Sequence, residues 1–480
     1  MADRSIAGSE SRFSAYVEGL VSVIGHWRRA KPLRDYCVGL VMPGERKSVE
    51  PMAALTAPAR VGAQHQSLLH FVGVGDWSDE RVLSKVREMV LPEIERHGPI
   101  RAWIIDDTSF PKQGRHSVGV ARQYCGELGK RANCQVAVSL SIGNHHASLP
   151  VAYRLYLPKE EWSVDRARRR KAGVPEEVEF QTKVEIAQAQ LHWACEAGLP
   201  RGVVLADSFY GRSGAFRAEI TALGLTYVAG IPSTITVKPP GPQTIPAETW
   251  SALGLSAKRR RGDGSPRVVS VEELAHALPK RAWRKITWRE GTNTKLASQF
   301  ARLRVRVAQR DEPLTDSGPE EWLLIEWPEG EAEPTKYWLS TMPENTTFRA
   351  LVDIAKLRWR IERDYQDLKQ EVGLGHFEGR GWRGFHHHAT LCIAAYGFLV
   401  SERGTIPPSE PGSARRVAEL AVPGGYRPRG SAAQAATPHP GLDRYPATAD
   451  DRGSHQNATE MSMLRSSLRE TSGSQKCVTQ

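Results

Sequence analysis

Three carboxylates stand where apolar runs end or where basic residues surround them. Asp107 closes the run Trp103-Ile104-Ile105-Asp106-Asp107, Asp207 closes Val203-Val204-Leu205-Ala206-Asp207, and Glu362 lies between Arg358 and Lys369. Acids at two strand ends, with a third on a cationic helix, suit metal-dependent chemistry on a phosphodiester. Mg²⁺ prefers oxygen ligands, and two ions about 4 Å apart clamp the attacking and leaving oxygens. An aspartate inside an apolar strand is costly unless it is paired, hydrogen-bonded or metal-bound. Taken singly, each Asp reads sooner as a turn cap at a strand end, and it is two such sites in the right strand order that favour the metal reading. Glu362 has a rival reading too: at 3.6 residues per turn it shares one narrow stripe with Arg358 and Lys369, which also describes a solvated, ion-paired helix face.

The elements that must position these acids follow from hydrophobic period. Residues 1–98 carry helical spacing, as in Val82, Leu83, Val86, Met89 and Val90, and read as a helical unit. From Arg101 the pattern turns to short β runs, Ala102 to Ile105, Gln135 to Ile142 and Leu149 to Leu157, broken by Gly, Asn and Pro. A helix over Glu179 to Glu196, a strand over Gly202 to Ala206, a short helix near Gly214 to Leu223 and a strand over Tyr227 to Ile231 complete residues 99–232. The order β-β-β-α-β-α-β is that of an α/β fold with a mixed five-stranded sheet flanked by helices. Asp107 lies on its first strand and Asp207 on its fourth, so neighbouring strands would bring them together.

Residues 233–335 are Pro- and Gly-rich and then alternate like strands (Leu303 to Val307, Trp322 to Trp327), which predicts a β-rich insertion. Residues 336–400 return to helix, from Thr347 to about Gly373 with Leu351, Ile354, Ile361, Tyr365, Leu368 and Val372 inward, then from Phe385 to Val400. Beyond residue 401 the chain has no Phe or Trp and is dominated by Ala, Gly, Pro, Ser and Arg, the composition of a disordered tail.

The 480 residues exceed what one core usually fills, and the formal charge of +11 comes from 65 Lys and Arg against 54 Asp and Glu. A basic balance favours a polyanionic partner, nucleic acid ahead of an acidic membrane. The longest apolar segment, around Ala389 to Val400, is too short to span a bilayer, and no signal core is recognisable, so a soluble cytoplasmic protein is expected. Six scattered cysteines without a Cys-x-x-Cys pair indicate neither a zinc knuckle nor a disulfide framework.

The runs Asp107-Thr108-Ser109, Leu205-Ala-Asp-Ser-Phe-Tyr-Gly211 and Arg358-Trp-Arg-Ile-Glu362 followed by Lys369 resemble bacterial insertion-sequence transposases with the RNase H-like DDE fold. The likeness is to the branch with a β-strand insertion and a Tyr-x2-Arg-x3-Glu-x6-Lys signature. Arg358, Glu362 and Lys369 keep its spacing, whereas Ala355 stands at the Tyr position. The resemblance covers roughly Arg101 to Val400. It implies Asp107, Asp207 and Glu362 as catalytic ligands of two Mg²⁺ ions, for which Mn²⁺ can substitute, and Arg358 and Lys369 as contacts to the DNA backbone. Asp106 competes with Asp107 for the first position; Asp107 directly precedes Thr108 and so matches the family's Asp-Thr pattern.

The implied reaction is hydrolysis at the element's terminal inverted repeats, then attack of the freed 3′-hydroxyl on target DNA. A homodimer on paired ends, in a bacterial cytoplasm and on the nucleoid when DNA is bound, is the matching expectation. The alternatives are a structure-selective nuclease that joins nothing and a non-catalytic DNA-binding regulator.

Other features carry less. His386-His387-His388 cannot chelate one ion together, since consecutive helical residues point about 100° apart, and a DNA-facing or solvent-exposed helix entry is expected. The basic runs Arg166 to Lys171 and Lys258 to Arg261 read equally as phosphate contacts or solvated loops. Trp283 and Trp288 suit either base stacking or a core. Lys112, Arg131 and Gly379 to Gly384 are cleft or surface-loop residues.

Overall fold

The apolar run ending in Asp106 and Asp107 is the central strand of a mixed sheet. A computed structural model of the protein describes residues 2–238, 268–290, 295–308 and 318–405. In it β1 (Ala102–Pro111) keeps Ala102 to Ile105 fully buried, as an apolar strand covered on both faces must. On one side β1 pairs antiparallel with β3 (Lys130–Gly143), which pairs antiparallel with β4 (Ser148–Leu155). On the other it pairs parallel with β5 (Val203–Ala206), and β5 with β6 (Tyr227–Ile231). This β4-β3-β1-β5-β6 order is the five-stranded mixed sheet expected of an RNase H-like core. One strand escaped the sequence reading: β2 (Ala121–Cys125) folds onto the outer end of β3, and only its two end residues are buried. Five residues with so little apolar content give no strand signal.

Helices α1 (Ala2–Val21), α2 (Ala30–Val41), α3 (Val49–Thr56), α4 (Val61–Gly73) and α5 (Asp79–Glu95) precede the sheet. After β4 come α6 (Arg166–Lys171), α7 (Lys183–Glu196), α8 (Ser208–Gly211) and α9 (Gly214–Ala222). α7 starts four residues later than its periodicity suggests because Thr182 caps it: its hydroxyl accepts from Glu185 N at 3.2 Å and the Glu185 carboxylate accepts from Thr182 N at 2.7 Å.

The insertion continues the sheet instead of forming a separate one. Its elements are β7 (Thr236–Lys238), β8 (Val269–Ser270), α10 (Val271–His276), β9 (Arg284–Glu290), β10 (Lys295–Val307), β11 (Glu321–Pro328) and β12 (Lys336–Ser340). β12 pairs antiparallel with β6, making one 12-stranded sheet among the described residues. The Lys258 to Arg261 run lies outside the described residues.

The helix expected from Thr347 to about Gly373 is two helices, α11 (Phe348–Lys356) and α12 (Trp359–Gln370). Between them the turn tightens: the N–H groups of Arg360 and Ile361 each reach a carbonyl three residues back, at 3.1 Å. The last helix, α13 (Trp382–Thr405), is longer than expected at both ends, so residues 401–405 are helical and the rest of the expected tail lies outside the described residues. α13 also corrects the reading of the three histidines. His387 and His388 are buried and His386 half-buried, and the His388 ring meets Tyr36 Oη at 2.8 Å and the Gly373 carbonyl at 3.0 Å. Burial pushes the pKa of His388 down to about 4, so it joins helices as a neutral hydrogen-bonding ring.

One buried ion pair fastens the insertion to the core helices. The Lys356 ammonium, at the end of α11, lies 2.6 Å from Glu326 of β11, and Glu326 is 2% exposed. The rings of Trp288, Phe300 and Trp338 surround it at 4.2, 5.7 and 5.8 Å. Trp288 is thus part of this enclosure, and Trp283 packs edge-on against Trp327 at 5.4 Å. Breaking one half of such a pair strands a buried charge. Glu326→Ala should therefore cost about 3–5 kcal/mol in urea unfolding. A double replacement, Glu326→Leu with Lys356→Met, should recover most of that loss; if the double variant is as unstable as the single, the pair is not the anchor.

Candidate active site at the strand ends

β1 and β5 run parallel with Ile104 opposite Leu205, and continuing that register brings Asp106 level with Asp207. Strand pleating sends neighbouring residues to opposite faces, so Asp106 and Asp107 meet different helices. Asp106 accepts from Arg358 Nη1 at 3.0 Å, while Asp107 pairs with the ammonium of Lys183 on the first turn of α7. Asp207 caps α8, its Oδ1 accepting from Phe209 N at 3.0 Å and Tyr210 N at 3.2 Å. The turn after it presses onto β6 so closely that a Cβ at Gly211 would sit 2.0 Å from the Gly230 carbonyl oxygen. Glycine is required there by close approach, and it keeps Asp207 at the strand end.

Glu362 stands one turn beyond Arg358 on α12, with Oε1 3.6 Å from Arg358 Nη2 and its side chain 58% exposed. Arg358 therefore bridges Asp106 and Glu362. Lys369 is drawn to the far end of β1, where its ammonium donates to the Ser109 carbonyl at 2.8 Å and pairs with Glu127 at 2.6 Å. The expected residues are thus brought together only in part: Asp107 and Asp207 lie on adjacent strands, but Arg358 joins Glu362 to Asp106 whereas Asp107 turns to Lys183, and Lys369 reaches β1 further along. Lys183 was not anticipated. Its one local signal is the Thr182 to Glu185 capping box, which marks a helix start but says nothing of what the lysine meets.

Several of the remaining basic candidates are engaged in structure. Arg168 stacks on Trp162 at 4.0 Å, Lys112 donates to the Phe377 carbonyl at 2.8 Å and Arg131 to the Arg122 carbonyl at 3.4 Å. Arg166, Arg170 and Lys171 of α6 are exposed.

Electrostatically the acid cluster is under tension. Burial, opposed by Arg358 and reinforced by the charges of Asp207 and Asp107, pushes the pKa of Asp106 up to about 7. Burial also raises that of Asp207, again against the pull of Arg358. The Tyr210 hydroxyl, close enough to feel all three aspartates, is buried without a hydrogen-bond partner. Buried carboxylates whose charged form is disfavoured by burial and short of positive charge, with oxygen donors only, fit a hard divalent cation. No three of Asp106, Asp107, Asp207 and Glu362 come within 4.8 Å of one another. Among the described residues that spacing occurs at Glu272, His276 and Glu333 on the insertion, of which two are exposed. Gathering the strand-end acids on one ion takes side-chain rotation away from Arg358 and Lys183.

The sign of the pH effect follows from Asp106. A carboxyl whose folded-state pKa lies above its unfolded value gives stability that is intact below the unfolded pKa and lost as pH rises through the folded one. The window therefore runs from about 4 up to about 7. Without divalent ions, the melting temperature of the wild type should fall across it by several degrees relative to Asp106→Asn. Parallel curves for the two proteins would show that Asp106 is not held neutral.

Comparison with known proteins agrees with this architecture. Residues 20–295 match the family described as DDE superfamily endonuclease, more than half of the chain. The match ends before Arg358 and Glu362. A protein described as a probable transposase for insertion sequence element IS701, from Microchaete diplosiphon, is 32% identical over 198 residues, 41% of this chain and 47% of that protein. The chain thus aligns with about half the length of that relative. No helix of the described residues is long and apolar enough to cross a membrane.

Proposed function

The chain belongs to the DDE superfamily endonucleases, and on that premise we propose that it is a transposase that cuts the ends of an insertion sequence and joins them to new DNA. The observation that carries the proposal is the convergence of two adjacent strands and one helix. Asp106 and Asp107 lie midway along β1 beside the end of β5, where Asp207 stands, and α12 brings Arg358 onto Asp106 with Glu362 one turn further along. Asp107, Asp207 and Glu362 are the ligands in this reading; Asp106, level with Asp207 and held by Arg358, is the rival for the first place.

Divalent ions, Mg²⁺ with Mn²⁺ as a substitute, would supply an activated water and charge neutralisation at the scissile phosphate. The protein's own residues do the rest. Asp207 is fixed by its cap on α8, so its carboxylate needs little reorganisation. Glu362, exposed on its helix, is the acid that substrate reaches most easily. Arg358 and Lys369 offer cations along the path from β1 to α12 for the DNA backbone, supported by the basic balance of the whole chain. Terminal inverted repeats and target DNA are the proposed substrates, and a homodimer on paired ends the proposed assembly.

The test is incubation of purified full-length protein with DNA carrying the inverted repeats that flank its gene, in Mg²⁺. Wild type should give both cleaved ends and strand-transfer products. Asp107→Ala, Asp207→Ala and Glu362→Ala should each lose about a hundredfold or more of cleavage while melting normally. Cleavage without transfer would make the protein a nuclease, and cleavage surviving all three substitutions would remove the acids from the mechanism. An Asp106→Ala variant that is inactive beside an active Asp107→Ala would hand the first position to Asp106.

A further inference from the structure

The two adjacent aspartates of β1 are neutralised by cations of different kinds. Arg358 is shared: it meets Asp106 at 3.0 Å and Glu362 at 3.6 Å, a planar fork held by two acids. Lys183 is a point charge on a flexible stem, pairing with Asp107 from the first turn of α7. Its side chain is 21% exposed and that of Asp107 13%, so the pair sits at the mouth of the cluster with a route to water. Below the ammonium lies the Phe209 ring at 4.1 Å, and Phe209 N is one of the two groups that Asp207 caps. Lys183 therefore touches the segments that carry both aspartates, Asp107 through charge and Asp207 through the ring beside its cap.

An ammonium at that position does what a bound cation would do. It lies against a carboxylate oxygen and lowers the repulsion among Asp106, Asp107 and Asp207. Resting on the reading of this cluster as a metal centre, we propose that Lys183 is the resident counter-cation that a divalent ion displaces from Asp107, so that Lys183 sets how tightly the cluster takes that ion. Of the two cations it is the easier to move, because it has one carboxylate partner where Arg358 has two and no planar fork to keep. Lys183 is a positioning residue here: it holds Asp107 in place until the ion arrives and touches no reacting atom.

Calorimetric titration of the full chain with Mn²⁺, without DNA and at about pH 8, above the pKa of about 7 to which Asp106 is pushed, tests this. Lys183→Gln should bind Mn²⁺ about tenfold more tightly than wild type, because a competing positive charge is gone from a partly buried site. Its Mn²⁺-induced rise in melting temperature should grow in step. Lys183→Arg, which keeps the charge, should stay near wild type, an outcome that a purely structural role for the side chain would not give. Asp107→Asn should weaken Mn²⁺ binding, and adding Lys183→Gln to it should bring no further tightening. Should Lys183→Gln fail to fold, unchanged Mn²⁺ affinity in Asp107→Asn would still overturn the proposal. If wild type binds Mn²⁺, Asp207→Asn abolishes binding and a folded Lys183→Gln binds no more tightly, the role of Lys183 is refuted while the metal centre stands. If folded wild type binds no Mn²⁺ at all, both readings fall together.

Discussion

Negative charge midway along β1 and at the end of β5 is the constraint on which the rest of this structure depends. Three aspartates stand near one another in partly buried positions, and carboxylates so placed repel one another and lose hydration. Such a cluster folds only with compensating positive charge or with protons on some of its members. This chain uses both. Arg358 and Lys183 approach from different helices, and Asp106 still has its pKa pushed up to about 7. Two monocations leave the cluster under-neutralised, which is the condition under which a dication gains most by binding.

Much of the surrounding architecture keeps Arg358 where it can serve. It follows Lys356 by two residues, and Lys356 is locked to Glu326 inside an aromatic enclosure. The insertion sheet is in turn continuous with the core through β12 and β6. On the other side of Arg358, α12 is pinned to the sheet and to α13 by polar contacts: Ser148 Oγ donates to Asp364 at 2.6 Å, Tyr396 Oη of α13 donates to the same carboxylate at 2.7 Å, and Tyr365 meets Ser139 directly opposite Asp106. The insertion is thus part of the scaffold of the acid cluster, because the helix that carries Arg358 and Glu362 hangs between its strands and those of the core.

What could be read from the sequence followed the strength of each local signal. The buried strands carrying Asp107 and Asp207 announce themselves as apolar runs with an acid at the end, and their neighbourhood follows from strand order. The stripe of Arg358, Glu362 and Lys369 follows from helical period. The break between α11 and α12 does not, because apolar spacing passes through Leu357 unaltered and only the backbone turn tightens. β2 lacks apolar alternation. The histidines were misplaced because three polar residues in a row suggest surface, whereas each finds backbone or hydroxyl partners that satisfy it in a packed interior. Lys183 was invisible for a different reason: its partner is 76 residues away, and no local pattern encodes a contact made by tertiary folding.

On the proposed reading, the same geometry would link metal to nucleic acid. In the protein alone, the cations closest to the site are engaged by its own acids, Arg358 by Asp106 and Glu362, Lys183 by Asp107, and Lys369 by Glu127. A phosphate backbone has to compete with those carboxylates for each cation, which costs affinity. A divalent ion that took over the aspartates would, on that reading, release Lys183 and loosen Arg358, and the released charge would then be available to phosphate. Linkage makes this reciprocal: whatever free energy the ion contributes to DNA binding, DNA returns to ion binding. Coupling of this kind favours the complete assembly of protein, ion and DNA over any pair of them, and it needs no movement larger than the rotation of a few side chains.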